Sequence, residues 1–261
     1  MSRLLAVDVG NTNVTLGVFE GEDLLATWRF APDPQRTSDE HALLISGLMG
    51  LKGHPPSEIE AAIMCSVVPP VTDLVRAAVT MICGVEPLVV GTGVRTGIRV
   101  NYDRTQDVGT DRVVDAVAAH QIYGGPVIVI DIGTGLVFNA ITAEGEYIGG
   151  AIAPGLRIAA EAMYQRTSML RRIELVAPPA AIGRSTVASM QSGVIYGYAE
   201  LVEGMVRRFK KELAPDAPDS CKVIATGGLS SVLTPHVTCI DHVDVDLTLK
   251  GLRLVHEMNC R

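Results

Sequence analysis

The sequence predicts an α/β protein of two duplicated domains, each with a mixed β-sheet, and a cleft between the domains. Residues 4–19, LLAVDVGNTNVTLGVF, have the pattern of an apolar strand, a short polar turn and a second apolar strand. Residues 127–153 repeat this pattern, with DIGT at 131–134 in the place of DVGN at 8–11. Such hairpins open a mixed sheet, and their separation by half the chain indicates a duplicated fold rather than a short repeat.

The segments that follow each hairpin complete the prediction. In both copies a turn with Glu-Gly, at 20–21 and at 144–145, leads into a third strand. Capping residues, apolar spacing and terminal glycines then predict helices at 38–50, 69–83, 110–123, 154–166 and 185–213, the first capped by Ser38 or Asp39. Residues 221–233 predict a strand, a Gly-Gly turn and a helix. The order of strands and then helices occurs twice, so we predict domains at 1–114 and 115–261.

The composition predicts a protein with a substantial core and excludes some classes of function. The chain has 261 residues, of which 48 % are hydrophobic and 20 % charged. Its net charge of -7 argues against nucleic acid as the main partner. The first apolar run stops at Asp8 and no run reaches about 18 residues, so we expect neither a signal peptide nor a membrane span. Five cysteines without a C-x-x-C pair favour free thiols in a reducing cytoplasm.

The two D-x-G turns have the chemistry of a phosphate site. A glycine after a strand lets a phosphate approach the backbone, and Asn11 and Thr12 offer hydrogen bonds to its oxygens. The carboxylate of Asp8 can hold a divalent cation, directly or through water. Two facing turns of this kind would grip a nucleoside triphosphate from both sides. The alternative is that Asp8 and Asp131 only end their strands with turn chemistry; a third turn, TGG at 226–228, favours the nucleotide.

This triple arrangement resembles the actin, Hsp70 and sugar-kinase superfamily, in which two phosphate loops and a Gly-Gly adenosine loop surround ATP. Within it, the motifs follow the order seen in type III pantothenate kinases. They are DVGNTN at 8–13, GTDR at 109–112, DIGT at 131–134, GGAIAPG at 149–155, IGRSTVASMQSG at 182–193, ATGGL at 225–229 and DLTLKGLRLVHEMN at 246–259. The resemblance covers essentially the whole chain and implies two RNase H-like (actin-like ATPase) domains.

The resemblance also implies an activity. It predicts that ATP, with Mg²⁺, phosphorylates the primary hydroxyl of pantothenate to 4'-phosphopantothenate in the first step of coenzyme A biosynthesis. It further implies a cytoplasmic homodimer with pantothenate and ATP as its partners, and neither nucleic acid nor a membrane.

Residue roles carry over by position in the motifs. The resemblance makes Asp111 the general base, which suits a phosphoryl transfer that needs positioning and a proton acceptor. From the residues alone, Asp111 could equally cap a helix. The resemblance makes Asp131 the carboxylate that holds a monovalent cation, K⁺ or NH₄⁺. The implied ATP phosphate contacts are Asp8, Val9, Gly10, Asn11, Thr12, Asn13, Val14, Thr15 and Thr134.

The pantothenate contacts come from three segments. The resemblance assigns them to Tyr102, Gly109, Thr110, Asp111, Arg112 and Thr186. The guanidinium of Arg112 fits the two oxygens of the substrate carboxylate, although a surface or structural ion pair is the alternative for this residue. For Thr186 the alternative is a helix N-cap, and the residue could serve both purposes.

The sequence departs from the family pattern beside the second phosphate turn. After D-x-G-T the family continues with Ala, then Thr or Leu, then Thr, and an Asp two residues later. Here these positions are Gly135, Leu136, Val137 and Asn139, so a hydroxyl and a carboxylate are missing. Thr105 and Arg171 replace usual prolines. The departures leave open a catalytically weakened, nucleotide-binding relative that acts as a regulatory protein, and also a kinase for another small molecule.

Overall fold

The computed structural model describes residues 3–260, which form two compact units. The first unit comprises the residues through Ile98, Arg104–Ala118 and the residues from Thr248 onward. The second comprises Arg99–Asp103 and Ala119–Leu247. The units are defined by contacts in space and not by chain order, so the first also contains the C-terminal residues from Thr248 onward. The domain boundary between residues 114 and 115 stays a prediction.

Strands of the described chain form two mixed sheets. The first sheet contains β1 (Arg3–Val9), β2 (Val14–Glu20), β3 (Asp23–Phe30), β4 (Ile59–Ser66) and β5 (Leu88–Val89). The second contains β6 (Arg99–Val100), β7 (Val127–Ile132), β8 (Gly135–Ile141), β9 (Glu146–Pro154), β10 (Lys222–Thr226) and β11 (His242–Val243).

The two sheets have the same topology. Their orders are β3-β2-β1-β4-β5 and β9-β8-β7-β10-β11, with β6 added beside β9. In each sheet the second strand is antiparallel to both of its neighbours, and the last two strands run parallel to the central strand. This equivalence confirms the duplicated α/β fold that the two hairpins predict.

Helices fill the connections, because parallel strands need a crossover. They are α1 (Ser38–Leu51), α2 (Pro69–Cys83), α3 (Thr110–Tyr123), α4 (Leu156–Arg166), α5 (Thr186–Leu213), α6 (Ser230–Leu233) and α7 (Leu247–Asn259). The predicted helices are therefore confirmed to within two residues at each end. Within residues 3–260, every helix is too short or too polar to cross a bilayer.

The cap of α1 differs from the prediction. Thr37, rather than Ser38 or Asp39, precedes the first helical turn, and its hydroxyl accepts a hydrogen bond from the amide of Glu40. The Glu40 carboxylate in turn accepts the amide of Thr37 at 2.8 Å. This reciprocal capping box satisfies two amides that the helix cannot bond itself, so it determines where the helix begins.

The central strand of each sheet is buried up to a carboxylate. In β1, residues 4–7 are buried and Asp8 is half-buried; in β7, residues 127–130 are buried and Asp131 is half-buried. Strands covered on both faces form continuous apolar runs, and β1 and β7 have this composition. Each carboxylate interrupts this buried run one residue before its strand ends, since Val9 and Ile132 are buried again, and the candidate site begins there.

Candidate active site

The first phosphate turn joins β1 to β2 in the first unit. The Gly10 amide donates to the Asn13 carbonyl at 3.0 Å, and Val9 pairs with Val14, so residues 10–13 form a tight hairpin turn. The side chains at 11–13 are exposed. The turn thus presents two amide side chains and a hydroxyl beside the half-buried Asp8. This is the donor set that the sequence predicts for a phosphate.

Strand β4 supports Asp8, and the sequence reasoning missed this strand. Cys65 lies beside Asp8 in the parallel β1–β4 pair, and its Sγ donates to Asp8 Oδ1 at 3.4 Å. Burial raises the pKa of the Cys65 thiol well above its usual value, and the nearby carboxylates of Asp8, Asp111 and Asp115 raise it further. The thiol therefore stays protonated and remains a donor. The apolar run IEAAIMC before two prolines was the signal that could have revealed β4.

Asp111 belongs to the same unit and lies in the first turn of α3. Its Oδ1 accepts the Arg112 amide at 2.7 Å, and a Cβ at Gly109 would overlap that oxygen. The helix begins at Thr110, so Asp111 is its second residue and not the N-cap that the alternative required. Burial raises the pKa of Asp111, and the amide and the charge of Arg112 lower it in part. The result is a stronger base than an exposed aspartate.

The second phosphate turn lies in the second unit, around Asp131. This residue pairs with Val137 on β8 and with Thr226 on β10, so the three side chains share one face of the sheet. Gly227 has φ +93°, and a Cβ there would overlap Asp131 Oδ1 and lie 2.7 Å from the Ile132 nitrogen. The Gly-Gly turn therefore packs directly against the carboxylate, which agrees with the grouping of these two motifs in the sequence.

The last residue of the GGAIAPG motif, Gly155, packs against the turn at 131–134. The Gly155 amide donates to the Thr134 carbonyl at 3.1 Å, and a Cβ on Gly155 would overlap the carbonyls of Gly133 and Thr134. Thr134 is exposed, and α4 begins at Leu156, directly after Gly155. A helix N-terminus favours negative charge, so its position beside the exposed Thr134 suits a phosphate.

Tyr102 and Thr186 are also in the second unit. Tyr102 is 38 % exposed, with its ring centroid 6.3 Å from that of Tyr147 and its ring 3.5 Å from where a Cβ of Gly149 would lie. Thr186 is the exposed first residue of α5, while the hydroxyl of Ser185 caps that helix. The N-cap alternative for Thr186 is therefore wrong, because its neighbour holds that position.

The second unit contains a pocket that the sequence reasoning did not find. Its volume is about 490 Å³, and Leu229, which lines it, directly follows the Gly-Gly turn. The Glu161 and Arg172 side chains form an ion pair of 2.9 Å in its wall. A pocket that combines apolar walls with a few charged groups is typical of a ligand site. The remaining lining residues are Arg157, Ala160, Ile173, Glu174, Leu175 and Val232.

The residues suited to cations are the strand-end carboxylates Asp8 and Asp131. Across residues 3–260 no group of three or more His, Cys, Asp or Glu side chains is arranged to hold a metal ion. Mg²⁺ commonly keeps several waters and binds through one or two carboxylates and substrate phosphates. A half-buried carboxylate beside an exposed turn fits that mode of binding.

Two mixed sheets of equal topology, each with a carboxylate at the end of its central strand, define the actin-like ATPase fold that sugar kinases share. Two solved structures have this fold at low identity. A Baf family protein from Campylobacter jejuni is 16 % identical with a TM-score of 0.59, and the match covers 98 % of each chain. The polyphosphate/ATP-glucomannokinase from Arthrobacter is 15 % identical with a TM-score of 0.50, over 99 % of this chain and 98 % of that one.

Sequence comparison identifies the particular family. The family model for type III pantothenate kinase matches residues 4–208. The type III pantothenate kinase of Moorella thermoacetica is 47 % identical over 256 residues, which cover 98 % of this chain and 99 % of the relative. The chain belongs to the type III pantothenate kinase family. The family and fold inferred from the motifs are thus confirmed, and the comparisons do not favour the regulatory alternative.

The close approach of Gly227 to Asp131 gives a first prediction. We expect Gly227→Ala to lower the free energy of unfolding by about 1–3 kcal/mol, because alanine at this positive φ is strained and overlaps the carboxylate. We also expect a higher KM for ATP, since Asp131 must move. Thermal unfolding and steady-state kinetics measure these effects.

The matched control is Gly228→Ala, where a Cβ would have no neighbour within 4 Å. We expect this variant to retain the stability of the wild type. Equal effects of the two substitutions would contradict the packing role of Gly227.

Proposed function

We propose that the chain transfers the γ-phosphoryl group of ATP to the primary hydroxyl of pantothenate, with the residues described above in defined roles. The observation that carries the proposal is the state of Asp111: the residue is half-buried, its carboxylate accepts the Arg112 amide, and burial raises its pKa. A carboxylate in this state suits a proton acceptor in an ATP-dependent kinase of this family.

In the proposed reaction, the pantothenate hydroxyl oxygen forms a bond to the γ-phosphorus while the bond from that phosphorus to the β,γ-bridging oxygen breaks. ADP leaves with the bond's electron pair, and the hydroxyl proton passes to Asp111. Because the transition state is loose, the proton can leave late, so a moderately raised pKa is sufficient. The role of Asp111 is therefore to orient the hydroxyl and then accept its proton.

The phosphate contacts are proposed for residues 8–15 and Thr134. The exposed side chains at 11–13 and the Thr134 hydroxyl are suited to donate to phosphate oxygens, and the N-terminus of α4 favours their charge. Asp8 would hold Mg²⁺, which supplies charge neutralisation when it is bound. The pocket beside Leu229 is suited to the nucleoside part of ATP.

The pantothenate contacts are proposed for Tyr102, Arg112 and Thr186 together with Gly109 and the backbone of Thr110. The Arg112 guanidinium is suited to the substrate carboxylate through two parallel hydrogen bonds. Tyr102 and Thr186 are exposed, so their hydroxyl groups are accessible to a small polar molecule. Asp111 would contact the hydroxyl that reacts.

The homodimer and the cytoplasmic location stay predictions of the family resemblance. Large apolar side chains are exposed along residues 148–187, including Met169 at 88 % and Ile182 at 85 %, as expected of a surface that a second subunit covers. Sedimentation velocity would measure the oligomeric state, and a monomer at micromolar concentration would contradict the dimer.

The test of the proposed function is ADP release with and without pantothenate, in wild type and in Asp111→Asn. We expect the wild type to depend on pantothenate and the variant to lose about 10²-fold or more in kcat, because the amide cannot accept the proton. In wild type, kcat should fall as the pH decreases through the raised pKa of Asp111, at a higher pH than the value of about 4 for an ordinary aspartate.

Circular dichroism would show that Asp111→Asn stays folded. A loss of less than tenfold in kcat would exclude Asp111 as the base. A panel of other small alcohols would reveal a kinase with a different substrate.

The monovalent cation is a separate proposal. Asp131 would hold K⁺ or NH₄⁺ between its carboxylate and the phosphate, so we expect the KM for ATP to be lower in potassium than in sodium buffer. Asp131→Ala should remove that difference. Equal KM values in the two buffers for the wild type would contradict the proposal.

The departure at Val137 generates a further prediction. Val137 lies directly opposite Asp131 in the β7–β8 pair, on the same face of the sheet, where relatives have a hydroxyl. A hydrogen bond to a charged group contributes about 1.5–3 kcal/mol, so we expect Val137→Thr to lower the KM for ATP by roughly tenfold. Val137→Ala, which adds no hydroxyl, is the control.

An unchanged KM in Val137→Thr would mean that this position does not reach the nucleotide. If the wild type releases no ADP at millimolar ATP, but Gly135→Ala with Val137→Thr does, the regulatory alternative is correct. A Cβ on Gly135 meets only ordinary contacts, 3.5 Å from Val137 Cγ2, so the double variant is sterically acceptable.

A further inference from the structure

The hydroxyl of Thr110 is bonded to the main chain of β4. Thr110 Oγ1 donates to the Ser66 carbonyl at 3.0 Å and accepts the Ser66 amide at 3.3 Å. A hydroxyl has one proton to donate, and this one is used within the protein. The geometry leaves the Thr110 side chain poorly suited to donate to a substrate, although the family resemblance places Thr110 among the pantothenate contacts.

Ser66 is itself firmly held at the end of β4. It pairs with Val9 in the parallel β1–β4 ladder, one residue beyond the pair of Asp8 with Cys65. Its Oγ accepts the Val68 amide at 3.1 Å and shares a 2.6 Å hydrogen bond with the hydroxyl of Thr72. These bonds join the end of the strand to the first turn of α2, so Ser66 is a rigid support.

The support extends to the loop before α3. The Val67 amide donates to the Val9 carbonyl at 3.0 Å, and Val67 Cγ1 lies 3.4 Å from the position of a Cβ on Gly109. Gly109 is the residue over which the Asp111 carboxylate folds. The start of α3, which includes Asp111, is therefore attached to the strand that also carries Cys65, the donor to Asp8.

We propose that Thr110 is a positioning residue for Asp111, whose hydroxyl fixes the first turn of α3 to the end of β4. It acts through the base and does not contact pantothenate with its side chain. The inference rests on the proposed role of Asp111. Loss of the two hydrogen bonds lets the base shift, and a displacement of about 1 Å can cost as much as 10²-fold in rate.

The experiment compares Thr110→Val, Thr110→Ser and Thr80→Val by steady-state kinetics with pantothenate and ATP. Valine has the shape of threonine without the hydroxyl, whereas serine keeps it. Thr80 is the matched control, because its hydroxyl also has two hydrogen-bond partners in the first unit and shares its proton between the Arg76 carbonyl at 3.0 Å and Glu86 at 2.8 Å.

We expect Thr110→Val to lower kcat about tenfold, within the range of misplaced catalytic groups, while the KM for pantothenate changes less than about twofold. Thr110→Ser should keep kcat within about twofold of the wild-type value, and Thr80→Val should have the kcat of the wild type. A merely structural role would lower the melting temperature without this selective loss of kcat.

Two results would overturn the inference. A raised KM for pantothenate with unchanged kcat in Thr110→Val would make the hydroxyl a substrate contact, and unchanged kinetics would make it dispensable. If Thr110→Val does not fold, Thr110→Ala replaces it, with the same outcomes.

A wild type without pantothenate-dependent ADP release would refute the proposed function itself. An active wild type whose kinetics do not change in Thr110→Val would refute only this inference.

Discussion

The structure depends on one constraint, which is that each buried central strand must hold a half-buried carboxylate, Asp8 or Asp131, beside an exposed turn. In the second unit the main chain meets this constraint. Gly227 packs so closely on Asp131 that a methyl group would overlap the carboxylate oxygen. A charge at such a point costs solvation, and close approach of backbone groups offsets part of that cost. The turn at 131–134 therefore packs against two others: Gly227 lies on Asp131, and the Gly155 amide donates to the Thr134 carbonyl.

The first unit meets the same constraint with side chains. The Cys65 thiol donates to Asp8, and the Thr110 hydroxyl bonds the next residue of the same strand. Both contacts converge on the end of β4, so the support of Asp8 and the placement of Asp111 have a common origin. This arrangement explains how an exposed, polar turn and a half-buried base are attached to one sheet. In a loose phosphoryl transfer, where positioning contributes most, such rigidity matters more than any additional functional group.

Much of the fold was predictable from the sequence because its strongest signals are local. The β1–β2 and β7–β8 hairpins, the Gly-Gly turn and helices α1 to α5 each have local signals in their period, turn residues and caps. Helix α7 was not predicted. The strand β4 was missed although it has a local signal, the apolar run at 59–65 before two prolines. Its pairing with β1, more than fifty positions away, is visible only in the structure. The cap of α1 was misplaced because Thr37, Ser38 and Asp39 are all good capping residues. The hydrogen bond from the Thr37 amide to the Glu40 carboxylate makes Thr37 the cap. The motifs located the candidate site, but burial of Asp111 and the bonds of Thr110 arise only in three dimensions.

The central claim is that this chain transfers a phosphoryl group from ATP to pantothenate despite the valine opposite Asp131. The most direct measurement is the detection of 4'-phosphopantothenate by mass spectrometry, with ADP quantified in the same reaction. The account predicts one product molecule for each ADP released, and neither in the absence of pantothenate. ADP without phosphorylated pantothenate, or no turnover at millimolar ATP with potassium and magnesium present, would contradict it.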